Sequence, residues 1–136
     1  MFDMPSATPI RGQSVFQQIN VERASNKLPP LRPGAELVKA AQAKADAMAS
    51  SGVFSHRNEK GSGNLWSYLP VKSGYFTAGE NLATGFSTTE ALTKAWMNSQ
   101  NHKSNILAKD FTDTGIAISK GKNGQVYVVQ YFGGKR

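Results

Sequence analysis

Gly115-Ile116-Ala117-Ile118-Ser119, the tripeptide Lys122-Asn123-Gly124 and Gln125-Val126-Tyr127-Val128-Val129-Gln130-Tyr131-Phe132 together read as two strands and the turn that joins them. Asn-Gly between runs rich in β-branched residues is the strongest short hairpin signal, because both residues tolerate positive φ. The second run is apolar or aromatic on both alternating faces, so helices are expected on both sides of the sheet. Upstream of the hairpin, the chain supplies them.

From Gly34 to Ser51 the residues Leu37, Val38, Ala41, Ala45, Met48 and Ala49 recur at steps of three and four. Gly52 follows where a left-handed C-terminal cap belongs, so this stretch is read as a helix. Ser87-Thr88-Thr89-Glu90 has capping-box spacing before Ala91, Leu92, Ala95 and Trp96, which predicts a helix from about Thr88 to Asn98. Ser99 is placed to cap a further short helix running through His102 to Leu107. Nearer the N-terminus, Ser14 caps a stripe of Val15, Phe16 and Ile19 that ends near Asn26. Leu28-Pro29-Pro30-Leu31-Arg32-Pro33 is a stiff link, since each proline removes a donor and restricts its predecessor. Residues 1–13 read as an N-terminal arm and 14–136 as one domain.

Sixteen Lys and Arg against nine Asp and Glu leave the 136-residue chain at +7. That charge favours anionic neighbours such as acidic lipid headgroups or cell-wall polymers. The basic residues are scattered and no nucleic-acid motif accompanies them, so nucleic acid is not an expected partner. Without cysteine there is no disulfide, thiolate metal site or thiol nucleophile. No apolar run approaches the roughly 20 residues that span a bilayer. For an exported protein the leader is expected to have been removed.

The chemistry concentrates in three separated patches, Phe54-Ser55-His56, Gly79-Glu80-Asn81 and Trp96 to His102, which include both histidines of the chain. Imidazole changes charge near neutral pH and binds divalent metals. His56 opens a long glycine-rich stretch from Arg57 to Gly79, with a short helix expected at Leu65-Trp66-Ser67-Tyr68-Leu69. Gly79-Glu80-Asn81 reads as a turn, with backbone donors near the carboxylate and Asn81 closing it. Ser99 and His102 have the residue types of a nucleophile and its base, but no acid is placed to orient the ring. Trp66, Tyr68, Tyr75 and Phe76 either pack the loop onto the core or line a groove for lipid or glycan.

The ordered set of Phe54-Ser55-His56, Gly79-Glu80-Asn81-Leu82-Ala83, Trp96-Met97-Asn98-Ser99 and His102 through Leu107, followed by the hairpin, resembles the bacterial branch of the CAP superfamily. That superfamily joins cysteine-rich secretory proteins, antigen 5 and plant pathogenesis-related proteins. The likeness runs from about Ser14 to Phe132. It implies an α+β fold, a three-layer α-β-α sandwich with a central, mostly antiparallel sheet, and an extracellular or periplasmic location. It also implies a cleft in which His56, Glu80 and His102 fall on three of four usual cavity positions, with Ser99 and Asn81 beside them. The fourth position, a glutamate in many members, finds Met97, Asn98 and Ser99 after Trp96. Ser99-Gln100-Asn101 also stands where the bacterial pattern has Ser-Pro-Gly.

His56 and His102 are thus the candidate Zn²⁺ ligands, with imidazole nitrogens about 2.0 to 2.1 Å from the metal and Glu80 as third ligand or as orienter of a ring. Placed near a helix N-terminus, His102 is expected to stay neutral and ready for metal. Three functions follow from the resemblance. One is binding of a lipid or sterol-like ligand. A second is metal-dependent hydrolysis with Glu80 as general base, which the missing second glutamate disfavours. The third is a non-catalytic interaction module of the cell envelope.

Overall fold

The computed structural model describes residues 8–55 and 65–135. Four strands form one sheet in the order β1-β3-β4-β2, where β1 is Arg32–Pro33, β2 Thr77–Thr84, β3 Asp113–Lys120 and β4 Val126–Gly134. The hairpin partners β3 and β4 are antiparallel, as are β4 and β2, whereas the two-residue β1 runs parallel to β3. The turn itself differs from the expectation in one respect. Gly124 alone takes positive φ, at 83°. Asn123 contributes instead through its side chain, whose Oδ1 accepts the Gln125 N–H at 2.9 Å.

Alternation along β4 sends Tyr127, Val129 and Tyr131 into one apolar cluster and Val128 and Phe132 into another. α2 (Ala35–Ser51) covers the first face through Leu37, Ala40, Ala41, Ala45 and Met48. Val38, counted in the sequence stripe, is 42% exposed. The helix stops at Gly52, whose φ of 76° is the expected left-handed cap. α1 (Gly12–Ser25), α4 (Thr89–Met97) and α5 (Gln100–Ile106) pack on the other face with Val15, Ile19, Leu92, Trp96 and Ile106. Helices on both sides of a sheet make the three-layer α-β-α sandwich.

Several boundaries move by a residue or two for local reasons. α1 begins at Gly12, and Ser14 serves from within the first turn by accepting the Arg11 N–H at 3.2 Å. Thr88 caps α4, its hydroxyl accepting from Ala91 at 3.1 Å. Glu90 reaches away from the helix and accepts the Thr8 N–H at 2.9 Å. With the Pro9–Thr88 bridge, that bond seats the start of the described chain on α4. The proline link is more than a spacer, since Arg32 and Gly34 donate to Thr112 and Thr114 and so add an edge to the sheet.

The largest correction concerns Gly79-Glu80-Asn81, which is the middle of β2 and not a turn. The segment Thr77–Thr84 lacks hydrophobic alternation, and its glycine, carboxylate and amide all look like loop residues. Pairing in register with β4, Glu80 opposite Tyr131 and Leu82 opposite Val129, makes it a strand. Gly79 is there for close approach, since a Cβ at that position would stand 2.8 Å from the Phe111 ring. The predicted helix at the Trp66 cluster is present as α3 (Leu65–Tyr68).

Candidate functional site

α4 and α5 are arranged against the outer edge of β2, the last strand of the sheet. Trp96, buried at the end of α4, donates its indole N–H to the Leu82 carbonyl at 3.1 Å. Asn105, one turn along α5 from His102, donates to the Glu80 carbonyl at 3.1 Å and to Asn81 Oδ1 at 2.9 Å. Asn81 in turn donates to the His102 carbonyl at 3.2 Å. Carbonyls on an edge strand would otherwise be left to water, or to another chain. Side chains from two helices cover them here, and in doing so fix α5 to β2.

The far end of α5 is held by Arg23, which is 1% exposed. Its Nε donates to Pro29 O, and one terminal nitrogen donates to Ile106 O and Ala108 O, each at 2.9 Å. Burial lowers the guanidinium pKa, yet arginine starts so high that it stays charged. A cation across the last carbonyls of a helix satisfies groups that have no intrahelical partner.

Between these anchors lies His102. Its ring stacks on Trp96 with centroids 6.2 Å apart and planes at 15°. Ser99, the N-cap of α5, makes no capping bond with its side chain; its Oγ lies 2.7 Å from His102 Nδ1. Capping by the Ser99 side chain was the sequence expectation. The ring has taken the place of the backbone N–H as the hydroxyl's partner.

Glu80 belongs to the opposite face. Its carboxylate neighbours the Tyr131 hydroxyl, which burial first and then Glu80 push well above the usual tyrosine range. Lys44 of α2 is 1% exposed, and burial holds its ammonium below the usual lysine range while Glu80 acts in the other direction. The Lys44 Nζ also sits 5.5 Å from the Tyr68 ring centroid, a cation–π distance. Of the aromatic set expected in this region, Tyr75 is buried and donates to Asp113 at 2.8 Å, whereas Trp66 and Phe76 are 36% and 46% exposed.

The structure therefore brings Ser99, His102 and Asn81 together with Asn105 and Trp96. Glu80 is tied to them through its backbone carbonyl. His56 lies outside the described residues. Among the described residues no three His, Cys, Asp or Glu side chains are grouped to hold a metal. The donor chemistry around Glu80 also fits a divalent cation poorly, because a buried ammonium already shares its surroundings. Sequence reasoning missed Asn105 and Lys44. Lys44 had left a signal, a charged residue between Ala41 and Ala45 on the buried stripe of α2; Asn105 lay inside the His102-to-Leu107 motif without being singled out.

An α-β-α sandwich with a covered β2 edge and a His–Ser–Asn junction defines the class. The chain belongs to the CAP family, the cysteine-rich secretory protein family, whose model matches residues 16–132. It is of the bacterial branch. The uncharacterized protein YkwD of Bacillus subtilis is 33% identical over 129 residues, which are 95% of this chain and 49% of that protein. An extracellular protein of Bacillus anthracis containing an SCP domain shares 29% identity with a TM-score of 0.82, over 91% of this chain and 40% of its own. A cysteine-rich secretory protein from Staphylococcus aureus shares 25% identity with a TM-score of 0.73, over 90% of this chain and 38% of its own. The chain spans half or less of the length of each of these three.

Proposed function

We propose that this CAP domain works outside the cytoplasm as a binding domain, taking an amphiphilic ligand of lipid or sterol-like type at the junction of β2 and α5. His102 and Ser99 supply its polar contacts, the buried Asn81 holds the His102 backbone in place behind them, and the family likeness suggests His56 as a further contact. The observation that carries this reading is the junction itself: a half-buried imidazole positioned by a stacked indole, a serine and an amide pair. A polar group held in one orientation is what fixes a ligand's pose in a small-molecule site. Phe54, Trp66 and Phe76 add exposed apolar side chains, and the +7 charge favours an anionic envelope setting. The extracellular description of the Bacillus anthracis relative supports the location. No described helix is long and apolar enough to cross a membrane.

Hydrolysis finds less support. A general base needs a carboxylate free to take a proton from water. Glu80 already has the buried Lys44 ammonium and the Tyr131 hydroxyl as neighbours.

The test is mass spectrometry of lipids extracted from protein purified without a metal-affinity step, with metal content measured on the same sample. A lipid retained by the wild type and lost from His102→Ala supports the binding reading. Stoichiometric zinc with no lipid, together with ester hydrolysis abolished by Glu80→Gln, would replace it with the hydrolase.

A further inference from the structure

We infer that the turn end of the β3–β4 hairpin carries a second ligand site, for a carboxylate-bearing saccharide. A cavity of about 440 Å³ lies there between Ile10 ahead of α1, Gly85 to Ser87 ahead of α4, and the facing hairpin residues Ile118, Lys120 and Gly124 to Val126. That volume is in the range of small-molecule sites. None of these residues belongs to the β2–α5 junction, and the site stands whether or not a ligand occupies that junction. Its walls are pinned by the protein itself. The Thr84 hydroxyl donates to the Val126 carbonyl at 2.9 Å and ties the end of β2 to β4, after which the chain turns away at Gly85 with φ 86°. Across the hairpin, the Gly121 N–H donates to the Gln125 carbonyl at 2.8 Å and the Gly124 N–H to the Gly121 carbonyl at 2.9 Å. The Ile10 wall is held by the Pro9–Thr88 bridge and by the Thr89 N–H, which donates to the Thr8 carbonyl at 2.8 Å. A cavity formed in advance spares a ligand the cost of ordering it.

The lining has two parts with different chemistry. Ile10, Phe86, Ile118 and Val126 form an apolar floor, each half-buried and packed against the core. Ser87, Lys120 and Gln125 stand at the rim, and among the described residues none of these three side chains makes a hydrogen bond or ion pair. No acidic residue among the described ones lines the cavity, so the Lys120 ammonium selects an anion, while the serine hydroxyl and the glutamine amide can pair with hydroxyl groups. The cavity is open to solvent on one side. An acyl chain gains only from the surface it removes from water and would leave one side wet here. A sugar ring suits such a shape, because its C–H face packs on the apolar floor and the Phe86 ring while its hydroxyls meet the rim or water. The +7 charge of the chain draws it to the acidic polymers in which such sugars occur.

The experiment is a titration of the full chain with trigalacturonate, and with maltotriose as an uncharged trisaccharide, followed in ¹H–¹⁵N amide spectra at physiological salt, where general charge attraction is screened. Trigalacturonate is expected to move the amides of Gly85, Ser87, Gly124 and Gln125, and maltotriose to bind about tenfold more weakly, the worth of one charge-assisted contact. Lys120→Gln should weaken trigalacturonate by the same factor, with the rest of its amide spectrum reporting an intact fold. Lys122→Gln removes an equal charge from the turn without touching the cavity and should leave binding unchanged. Silence of these four amides up to saturating sugar overturns the proposal. Equal losses from the two lysine variants, or shifts scattered over the whole surface, also overturn it, since they mean charge attraction without a site. Dodecanoate that moves the four amides when neither sugar does would assign the cavity to an acyl chain instead.

Discussion

Glu80 and Asn81 are consecutive in β2 and work on opposite faces of the sheet. The Glu80 side chain meets Tyr131 and the buried Lys44 of α2, while the Asn81 side chain meets Asn105 and the His102 carbonyl of α5. Period-two geometry makes this unavoidable for neighbours in a strand. One dipeptide thereby ties two layers of the sandwich to the edge strand between them.

Asn105→Ala removes two of the three side-chain bonds described between α5 and β2 and leaves Asn81 Oδ1, in a fully buried side chain, without its donor. An orphaned buried polar group costs about 1 to 3 kcal/mol. Urea denaturation should show a loss of that size. Asn105→Asp, which keeps the shape but reverses donor to acceptor, should lose at least as much; a loss under a few tenths would mean that α5 is held elsewhere.

Glu80 and Lys44 are expected to be coupled. Removing one member of a buried charge pair leaves the other uncompensated. Glu80→Gln and Lys44→Met should each destabilise by about 1 to 3 kcal/mol, and the double variant by less than their sum. Additive losses in a denaturation double-mutant cycle would show that the two charges do not sense each other.

Stability should climb and then fall on the alkaline side. Lys44 has its folded pKa lowered by burial, so the unfolded chain binds more protons just below the normal lysine range and stability rises with pH there. Tyr131 and Tyr75 are raised, chiefly by burial and secondarily by Glu80 and by the bond to Asp113 respectively. The stability they contribute is present below the unfolded tyrosine pKa of about 10 and is lost as pH rises above it. Urea midpoints between pH 8 and 11 should pass through a maximum. Lys44→Met should flatten the rising limb and Tyr75→Phe should blunt the fall.

Gly79→Ala should destabilise by about 1 to 3 kcal/mol, the usual cost of overpacking. The new Cβ would press on Phe111, whose ring is itself stacked on Phe132 with centroids 5.2 Å apart. Pairing it with Phe111→Leu should recover part of the loss if crowding is the cause. A strain on the backbone alone would not be relieved by that second change.

The helices α2 and α4, the hairpin and the two-sided cover of β4 were all legible in the residues, because each is set by periodicity, caps and turn chemistry within a short window. Family order of the His56, Glu80 and His102 motifs pointed the same way. Local pattern could not reveal β2, since Thr77–Thr84 has the composition of a loop and becomes a strand only through the register it shares with β4. The same holds for Ser99: as an isolated N-cap it should accept a backbone N–H, and only the return of the His102 ring across one helical turn, braced by Trp96, gives its hydroxyl a different partner. Lys44 and Glu80 stand 36 residues apart in the sequence, and no spacing rule links a helix stripe to an edge strand at that distance. Sequence by itself determined which segments are amphipathic and where they stop. Tertiary packing decided which polar side chains meet, because those meetings depend on how α2, β2 and α5 are layered.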